Sequence, residues 1–552
     1  MGRPMFLTPP ARVADHVARG WWDNSTVDTL FQHQAAQDPG ALALIDPPNR
    51  SALDGHAPER LTWRQLQDRT ETTAAALLAH GLVKDDIILV QLPNTVDAVI
   101  LFLAAARLGL IITPVVMQYR DHELAHIIGR TRPRAIVTIP AFAAHDHLAM
   151  ARRLAPDTPV FTPPDLAGDP ATVAPYAAAH PVSGAEVLTI CWTSGTESRP
   201  KGVPRDHNHW LLNARVVAEA TGMLPGDTLL NPFPLVNIGS IGGLVLPWLH
   251  LGGRLVLHHP FDLAVFLQQI EAERVTYTIA PPAVLTALLQ NPALLAGTDI
   301  SALRAIGSGS APLSPFLIAG WQEKAIEICN IFGSNEGASL FASAADVADP
   351  TDRARFFPRH APGTGWPGLT AAVVQTRLVD PETETEITAP GVPGELRLAG
   401  GNIFSGYWQD PELNARAFDA QGYFKTGDLF EIAGTGNRFY RFTGRSKELI
   451  MRGGVNISPA ELDDLLIGHP HILEAATVGI PDPVLGERIA VAIVPRGEPP
   501  TIADIAQWLD TKGTAIFKRP ERLVVMDRLP RNAMNKVVRA DLRALVLVKL
   551  TP

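Results

Sequence analysis

The sequence predicts an α/β fold, with a large N-terminal domain of mostly parallel sheets flanked by helices and a small α+β domain at the C-terminal end. Three observations carry this. A chain of 552 residues exceeds one ordinary core, so two or more domains are expected. Apolar strand-like runs alternate with helix-periodic runs along the first part of the chain, the pattern of a parallel sheet covered on both faces. Helix and strand patterns resume on a smaller scale beyond residue 459. A hydrophobic share of 46% excludes wholesale disorder.

In chain order, a helical pattern over 27–36 precedes a short strand over 41–45, and 47–58 reads as a loop. Thr62 opens a helix that runs through Gln65, Leu66, Thr70 and Leu77. A strand at 87–92, a helix at 95–108, a strand at 111–116, a helix at 121–130 and a strand at 135–139 follow. The stretch 99–116 is the most apolar, but Arg107, Gly109 and Pro114 interrupt it, so it reads as a buried helix turning into a strand rather than a membrane span. Further on come a helix at 209–221, strands at 228–234 and 275–280, a helix at 282–290, and strands at 303–307, 326–331 and 371–379. The C-terminal part offers a helix at 459–467 and strands at 475–478 and 490–494. Arg254 and His258, after a Gly-Gly turn, read as surface residues. Cys191 and Cys329 sit in apolar runs, too few for a disulfide scaffold or a zinc site, which suits a reducing compartment. The N-terminus lacks the apolar run of a signal peptide, so a cytoplasmic location is expected. A net charge of −9 argues against nucleic acid as a partner.

The most informative stretch is 189–207. Val187, Leu188, Ile190 and Trp192 run into Thr193, Ser194, Gly195 and Thr196, so hydroxyls and backbone N–H groups converge where a strand ends, which suits anionic oxygens. Beyond Pro200, Lys201 brings a compact charge fitted to a polyphosphate, and Gly202 frees the chain to turn. It is not a Walker loop, because Lys201 is followed by Gly202 and Val203 rather than Ser or Thr. Taken alone, the stretch also reads as a Ser/Thr/Gly-rich surface turn.

Residues 193–202 resemble the signature loop of the adenylate-forming (AMP-binding) superfamily, which holds acyl-CoA synthetases, peptide-synthetase adenylation domains and beetle luciferases. Glu197 and Ser198 replace a usual Thr-Gly pair, leaving the loop stiffer and more acidic. Four further segments resemble the same superfamily in the expected order. Ser310-Ala311-Pro312 matches a segment that lies against adenine, where small residues admit a flat heterocycle. Phe332-Gly333-Ser334-Asn335-Glu336 resembles Tyr-Gly-x-Thr-Glu, which implies Glu336, with Thr196, as the Mg²⁺ holder on the ATP phosphates. Lys425-Thr426-Gly427-Asp428 resembles a motif whose Asp accepts hydrogen bonds from both ribose hydroxyls. Arg445, Lys447 and the Gly453-Gly454 loop match, respectively, a nucleotide-facing residue, a hinge and a loop that reaches the acyl and CoA side. Pro530-Arg531 and Lys536 resemble Pro-Arg-x-x-x-Gly-Lys, with Asn535 for the glycine, which nominates Lys536 as the catalytic lysine.

The resemblance also implies a β-rich subdomain after the glycine-rich turn at 363–368 and a mobile C-terminal domain, so that residues 1–446 form the N-terminal domain with the acyl pocket and 447–552 the lid. Gly363 to Gly368 matches a dinucleotide fingerprint as a string, but Pro367 lies inside it and a strand-like run follows. The segment 234–240 resembles the acyl-pocket segment, with Asn237 where a His is common. Its amide could bond a polar group on the acid, or only cap the helix that follows, and both readings stand. Val236, Asn237, Ser240, Gly307, Ile331 and Ser334 are candidate pocket walls. No acidic residue lies between Asp227 and Asp262, which favours a plain carboxylic acid over an amino acid.

The implied reaction has two halves. An acid carboxylate attacks MgATP to give acyl-AMP and pyrophosphate, with Thr196 and Lys536 stabilising charge; the acyl group then passes to the thiol of CoA. The expected partners are ATP, CoA and a medium-chain, alicyclic or aromatic acid, with no nucleic acid and no integral membrane span; the sequence specifies no oligomeric state. A stand-alone carrier protein is the competing acceptor, and a nucleotide-binding homologue lapsed in catalysis is the competing class.

Overall fold

The computed structural model describes residues 5–193, 200–309, 313–445, 448–452, 455–512, 514–532 and 536–550, with Val455 and Asn456 in backbone only. Among the described residues, one sheet of eight strands runs in the order Gly337–Ala342, Glu327–Ser334, Ala305–Gly309, Tyr277–Ile279, Thr228–Asn231, Arg254–Leu257, Leu42–Ile45 and Arg60–Thr62. Its six inner strands are parallel and its two edges antiparallel. A second sheet, of six strands, is parallel from Val187–Thr193 to Val160–Phe161 and carries Lys201–Asp206 as an antiparallel edge.

Local sequence explains the joins. Thr62 and Gln65 form a reciprocal capping box that opens the helix Trp63–Ala79. The helix Val96–Leu108 is buried on nearly every side and ends on Gly109 at φ 70°, from which the chain enters the strand Ile111–Pro114. The apolar stretch is thus a buried helix and strand, and no described helix is long and apolar enough to cross a membrane. One face of the eight-stranded sheet, through Leu229, Tyr277, Ile279 and Cys329, joins the core shared with the six-stranded sheet. The opposite face, through Leu230, Val256, Ile306 and Ile328, packs under its own helices. Both cysteines are buried and free.

An antiparallel five-stranded sheet follows, in the order Phe356–Pro358, Phe439–Arg445, Phe424–Ala433, Gly394–Gly400 and Val374–Val379. The last unit places Ile450–Arg452, Gly486–Pro495 and Ile472–Asp482 in one sheet, with Arg522–Val525 parallel to Gly486–Pro495. The helices Pro459–Ile467 and Ile502–Thr511 pack on one core and Arg539–Leu550 on the other. The expected 446/447 boundary falls on Ser446 and Lys447, outside the described residues.

Three expectations are corrected. The 47–58 loop contains a helix, Arg50–Asp54, because buried Arg50 needs its carboxylate partners Asp46, Asp54 and Asp97 folded around it. A short helix, Gly368–Val373, stands where a strand was expected from 371, and the strand begins only at Val374. His258 is 1% exposed, not on the surface: its Nδ1 meets Gln269 Oε1 at 2.7 Å and its Nε2 accepts from the Asp262 N–H at 3.0 Å.

Candidate active site

The strands Val187–Thr193 and Lys201–Asp206 form an antiparallel hairpin in which Lys201 stands opposite Thr193. Ser194, Gly195, Thr196, Glu197 and Ser198 lie between them, outside the described residues. At the mouth, Thr193 Oγ1 is buried with no hydrogen-bond partner among the described residues, and Lys201 Nζ sits 5.7 Å from the centroid of the Tyr407 ring. Gly202 does not turn the chain. It lies within the strand, where a Cβ would come within 3.1 Å of Ile190 Cγ2 and of Trp408 Cβ, so its use is close packing.

Tyr407 leads to the next element. Its hydroxyl donates to Glu336 Oε1 at 2.8 Å, and the Phe404 N–H donates to Glu336 O at 2.8 Å, so the loop around 400–408 fixes both ends of that residue. Arg205 holds the same turn from below. It is 0% exposed, and it donates from Nη1 to Asn335 O at 3.0 Å and from Nη2 to Asn402 O at 2.8 Å, with its guanidinium 4.7 Å from the Trp210 ring. Sequence reasoning missed both residues. A cation beside Pro204 in an otherwise apolar strand was the only signal for Arg205, and Tyr407 had none beyond its neighbouring Gly406 and Trp408.

Asn335 is spent on structure. Its Oδ1 accepts from the Ile238 N–H at 2.9 Å and its Nδ2 donates to Trp192 O at 3.3 Å, tying the hairpin to the acyl-side segment. The Phe332 ring packs edge-on against Phe430 (5.0 Å between centroids), while Gly333 and Ser334 are exposed.

Asp428 lies in the strand Phe424–Ala433 just after Gly427, whose φ of 72° favours glycine there. Arg445, directly across the ladder, donates from Nε to Asp428 Oδ1 at 3.0 Å. Burial pushes the Asp428 carboxyl up to about 6, against the opposing pull of Arg445 and Lys536. Lys536 reaches this group from the C-terminal unit, where Asn532 Oδ1 accepts from its N–H at 3.0 Å and the Asn532 N–H donates to its carbonyl at 2.9 Å. The Lys536 side chain keeps one open side yet has protein packed around it. Desolvation, and after it Arg445, lowers its pKa, opposed by Asp428 and Glu336. The structure therefore brings Glu336, Asp428, Arg445 and Lys536 within electrostatic reach of one another.

On the acyl side, Ile238–Val245 is a π-helix, a geometry frequent at functional sites. Asn237 Oδ1 caps it by accepting from the Ser240 N–H at 3.1 Å, so the capping role is realised. Ser240 is buried, its Oγ accepting from Asn231 Nδ2 at 2.8 Å, and Val236 is buried beside it. Gly307 and half-buried Ile331 face the same space. A Cβ on Gly309 would fall 2.1 Å from Ile331 O, so only glycine fits this backbone approach. Ser310, Ala311, Pro312, Lys447, Gly453 and Gly454 lie outside the described residues.

Comparison with known proteins places this geometry. Residues 31–408 match the AMP-binding enzyme family and residues 461–536 match the AMP-binding enzyme C-terminal domain. The medium-chain fatty-acid–CoA ligase of Escherichia coli (strain K12) is 28% identical, covering 98% of this chain and 94% of its own. The salicyl-AMP ligase / salicyl-S-ArCP synthetase of Mycobacterium tuberculosis is 29% identical, covering 98% and 93%. The crystal structure of ATP-bound MatB from Rhodopseudomonas palustris superposes with a TM-score of 0.78 at 26% identity, over 94% of this chain and 99% of that one.

Proposed function

The chain belongs to the AMP-binding enzyme family and is an AMP-forming ligase, and on that premise we propose that it joins a carboxylic acid to the thiol of CoA through an acyl adenylate. The observation that carries this reading is the meeting of Glu336, Asp428 and Lys536 from three separate parts of the chain. The acid carboxylate is already ionised, so its attack on the α-phosphorus of ATP needs no general base. Charge gathers on the non-bridging oxygens as pyrophosphate leaves, and the Lys536 ammonium stabilises it. Thr193 Oγ1, buried without a partner among the described residues, suits a phosphate oxygen. Asp428 takes the ribose hydroxyls.

Among the described residues no group of three His, Cys, Asp or Glu side chains could hold a metal ion. A single carboxylate, Glu336, fits Mg²⁺ borne chiefly on phosphate oxygens, where the ion supplies charge neutralisation. In the second half-reaction the domain from Lys447 onward swings about that residue and brings Gly453-Gly454 to the acyl side, so that the CoA thiol attacks the acyl carbon and AMP leaves. A medium-chain, alicyclic or aromatic acid suits the modest walls around Gly307 and Ile331. Two deeply buried thiols, with Cys191 pushed up to about 12 by burial, suit a cytoplasmic protein.

A holo carrier protein is the second acceptor, favoured by the printed activity of the Mycobacterium tuberculosis relative. A panel of acids graded in length and ring type, with ATP and either CoA or a holo carrier, separates the two. Thioester on CoA supports the first reading and thioester only on the carrier supports the second. ATP binding without acid-dependent pyrophosphate release would mean that catalysis has lapsed.

The raised pKa of Asp428 gives a pH prediction. Below about 6 the group is a neutral acid that has lost acceptor capacity, and above it a carboxylate able to accept from two hydroxyls. The KM for ATP should rise as pH falls through about 6. That rise should vanish in Asp428→Asn, as measured by initial-rate pyrophosphate release.

A further inference from the structure

Beneath the π-helix the sheet presents Tyr277, Ile279 and Gly307 on one face, with Ile279 paired to Gly307 in the ladder. Gly307 leaves a gap that its neighbours fill. A Cβ there would lie 2.4 Å from Tyr277 Oη, 2.8 Å from Ile331 Cδ1 and 3.2 Å from Ile279 Cγ1. Ile279 also reaches the helix, since a Cβ on Gly243 would lie 2.6 Å from Ile279 Cδ1. The space facing Gly307 is therefore walled by Ile279 and Ile331 and closed at its base by the Tyr277 hydroxyl, which bars a long unbranched chain.

That hydroxyl is not satisfied by the protein. Tyr277 is 1% exposed, and its Oη has no hydrogen-bond partner among the described residues. Thr221 is close enough to affect its proton, but Thr221 Oγ1 donates to Val217 O at 2.7 Å and completes no hydrogen bond to Tyr277. Burial drives the phenol pKa up, so it stays protonated and can donate. Buried donors are almost always paired, and an orphan at the base of a substrate cavity is readily paired by the substrate.

We infer that the acid is compact and carries a hydrogen-bond acceptor, an oxygen or nitrogen substituent, on the side remote from its carboxylate, and that Tyr277 Oη receives it. This rests on the proposed acid-activating function and narrows its substrate away from plain medium-chain acids.

The test uses the full chain and its Tyr277→Phe variant, which keeps the ring and its packing. Acid-dependent pyrophosphate release is measured with cyclohexanecarboxylate and benzoate, their 4-hydroxy and 4-oxo or 4-amino counterparts, and octanoate. In the unaltered protein at least one substituted acid should exceed its parent about tenfold in kcat/KM, chiefly through KM. Tyr277→Phe should bring that pair to within about threefold while leaving the parent acid unchanged. An Ile279→Ala variant should raise octanoate about tenfold by opening the base.

Discrimination that persists in Tyr277→Phe, or a preference for the plain acids, overturns the inference while leaving the acid-activating function intact. If no acid supports release, the function itself fails. The same contrast is then read from acid binding alone by thermal shift, where a stabilisation by substituted acids that Tyr277→Phe abolishes upholds the inference and its absence overturns it.

Discussion

Lys536→Ala is expected to lower acyl-adenylate formation by about a hundred- to a thousandfold, while thioester formation from supplied acyl-adenylate and CoA stays within about threefold of the unaltered protein. The first effect follows from where charge develops. Oxyanion density appears on the α-phosphate only as the acid attacks, so an ammonium held there stabilises the transition state more than the ground state. Lys536 is placed for this by Asn532, which bonds both its N–H and its carbonyl, so alanine removes the amine and leaves the backbone anchored. Lys536→Arg should not restore the rate, because a planar fork does not replace a compact charge in a crowded cleft. The second effect follows because the thiol attack comes after the swing that withdraws residue 536. Single-turnover assays of each half-reaction check this. Equal losses in both would mean that Lys536 serves the fold or a shared binding step.

What the sequence disclosed of this site follows from the kind of partner each residue has. Glu336, Asp428 and Lys536 could be nominated because each is a charged group in a short motif, and the motifs occur in order along the chain. The alternation of strands and helices likewise marked the parallel sheets, because burial on both faces leaves continuous apolar runs. Arg205 and Tyr407 stayed hidden for the opposite reason. Arg205 spends its donors on the carbonyls of Asn335 and Asn402, 130 and 197 residues away, and a carbonyl carries no side-chain signature. Gly202 misled because glycine serves two ends, a turn or a close approach, and only the neighbouring Trp408 decides between them. The π-helix at Ile238–Val245 was equally hidden, since it depends on the Asn237 cap and on how closely Gly242 and Gly243 approach Asn213 and Ile279.

Arg205 carries the other large expected effect. Arg205→Met should cut the thermal transition of the N-terminal part by at least about 5 °C, because Asn335 O, Asn402 O and His209 O would each lose a buried donor worth about 1 kcal/mol or more. Scanning calorimetry measures this. Arg205→Lys separates positioning from stability. Burial lowers the Arg205 pKa to about 10, so the native group is a cation at neutral pH, and lysine keeps the charge but cannot hold Asn335 and Asn402 at once with a rigid fork. Glu336 adjoins Asn335 and takes its hydroxyl partner from Tyr407, on the loop that Asn402 anchors. Releasing either carbonyl should let the Glu336 carboxylate wander, and a displacement of about 1 Å in such a group can cost about a hundredfold in rate. We expect Arg205→Lys to fold and to lose at least about tenfold in kcat for pyrophosphate release. The decisive comparison is the double variant. If Arg205 acts through Glu336, Arg205→Lys should cost little more in a Glu336→Gln background, because the group it positions is already disabled. Losses that simply multiply would instead assign Arg205 a structural role independent of the carboxylate.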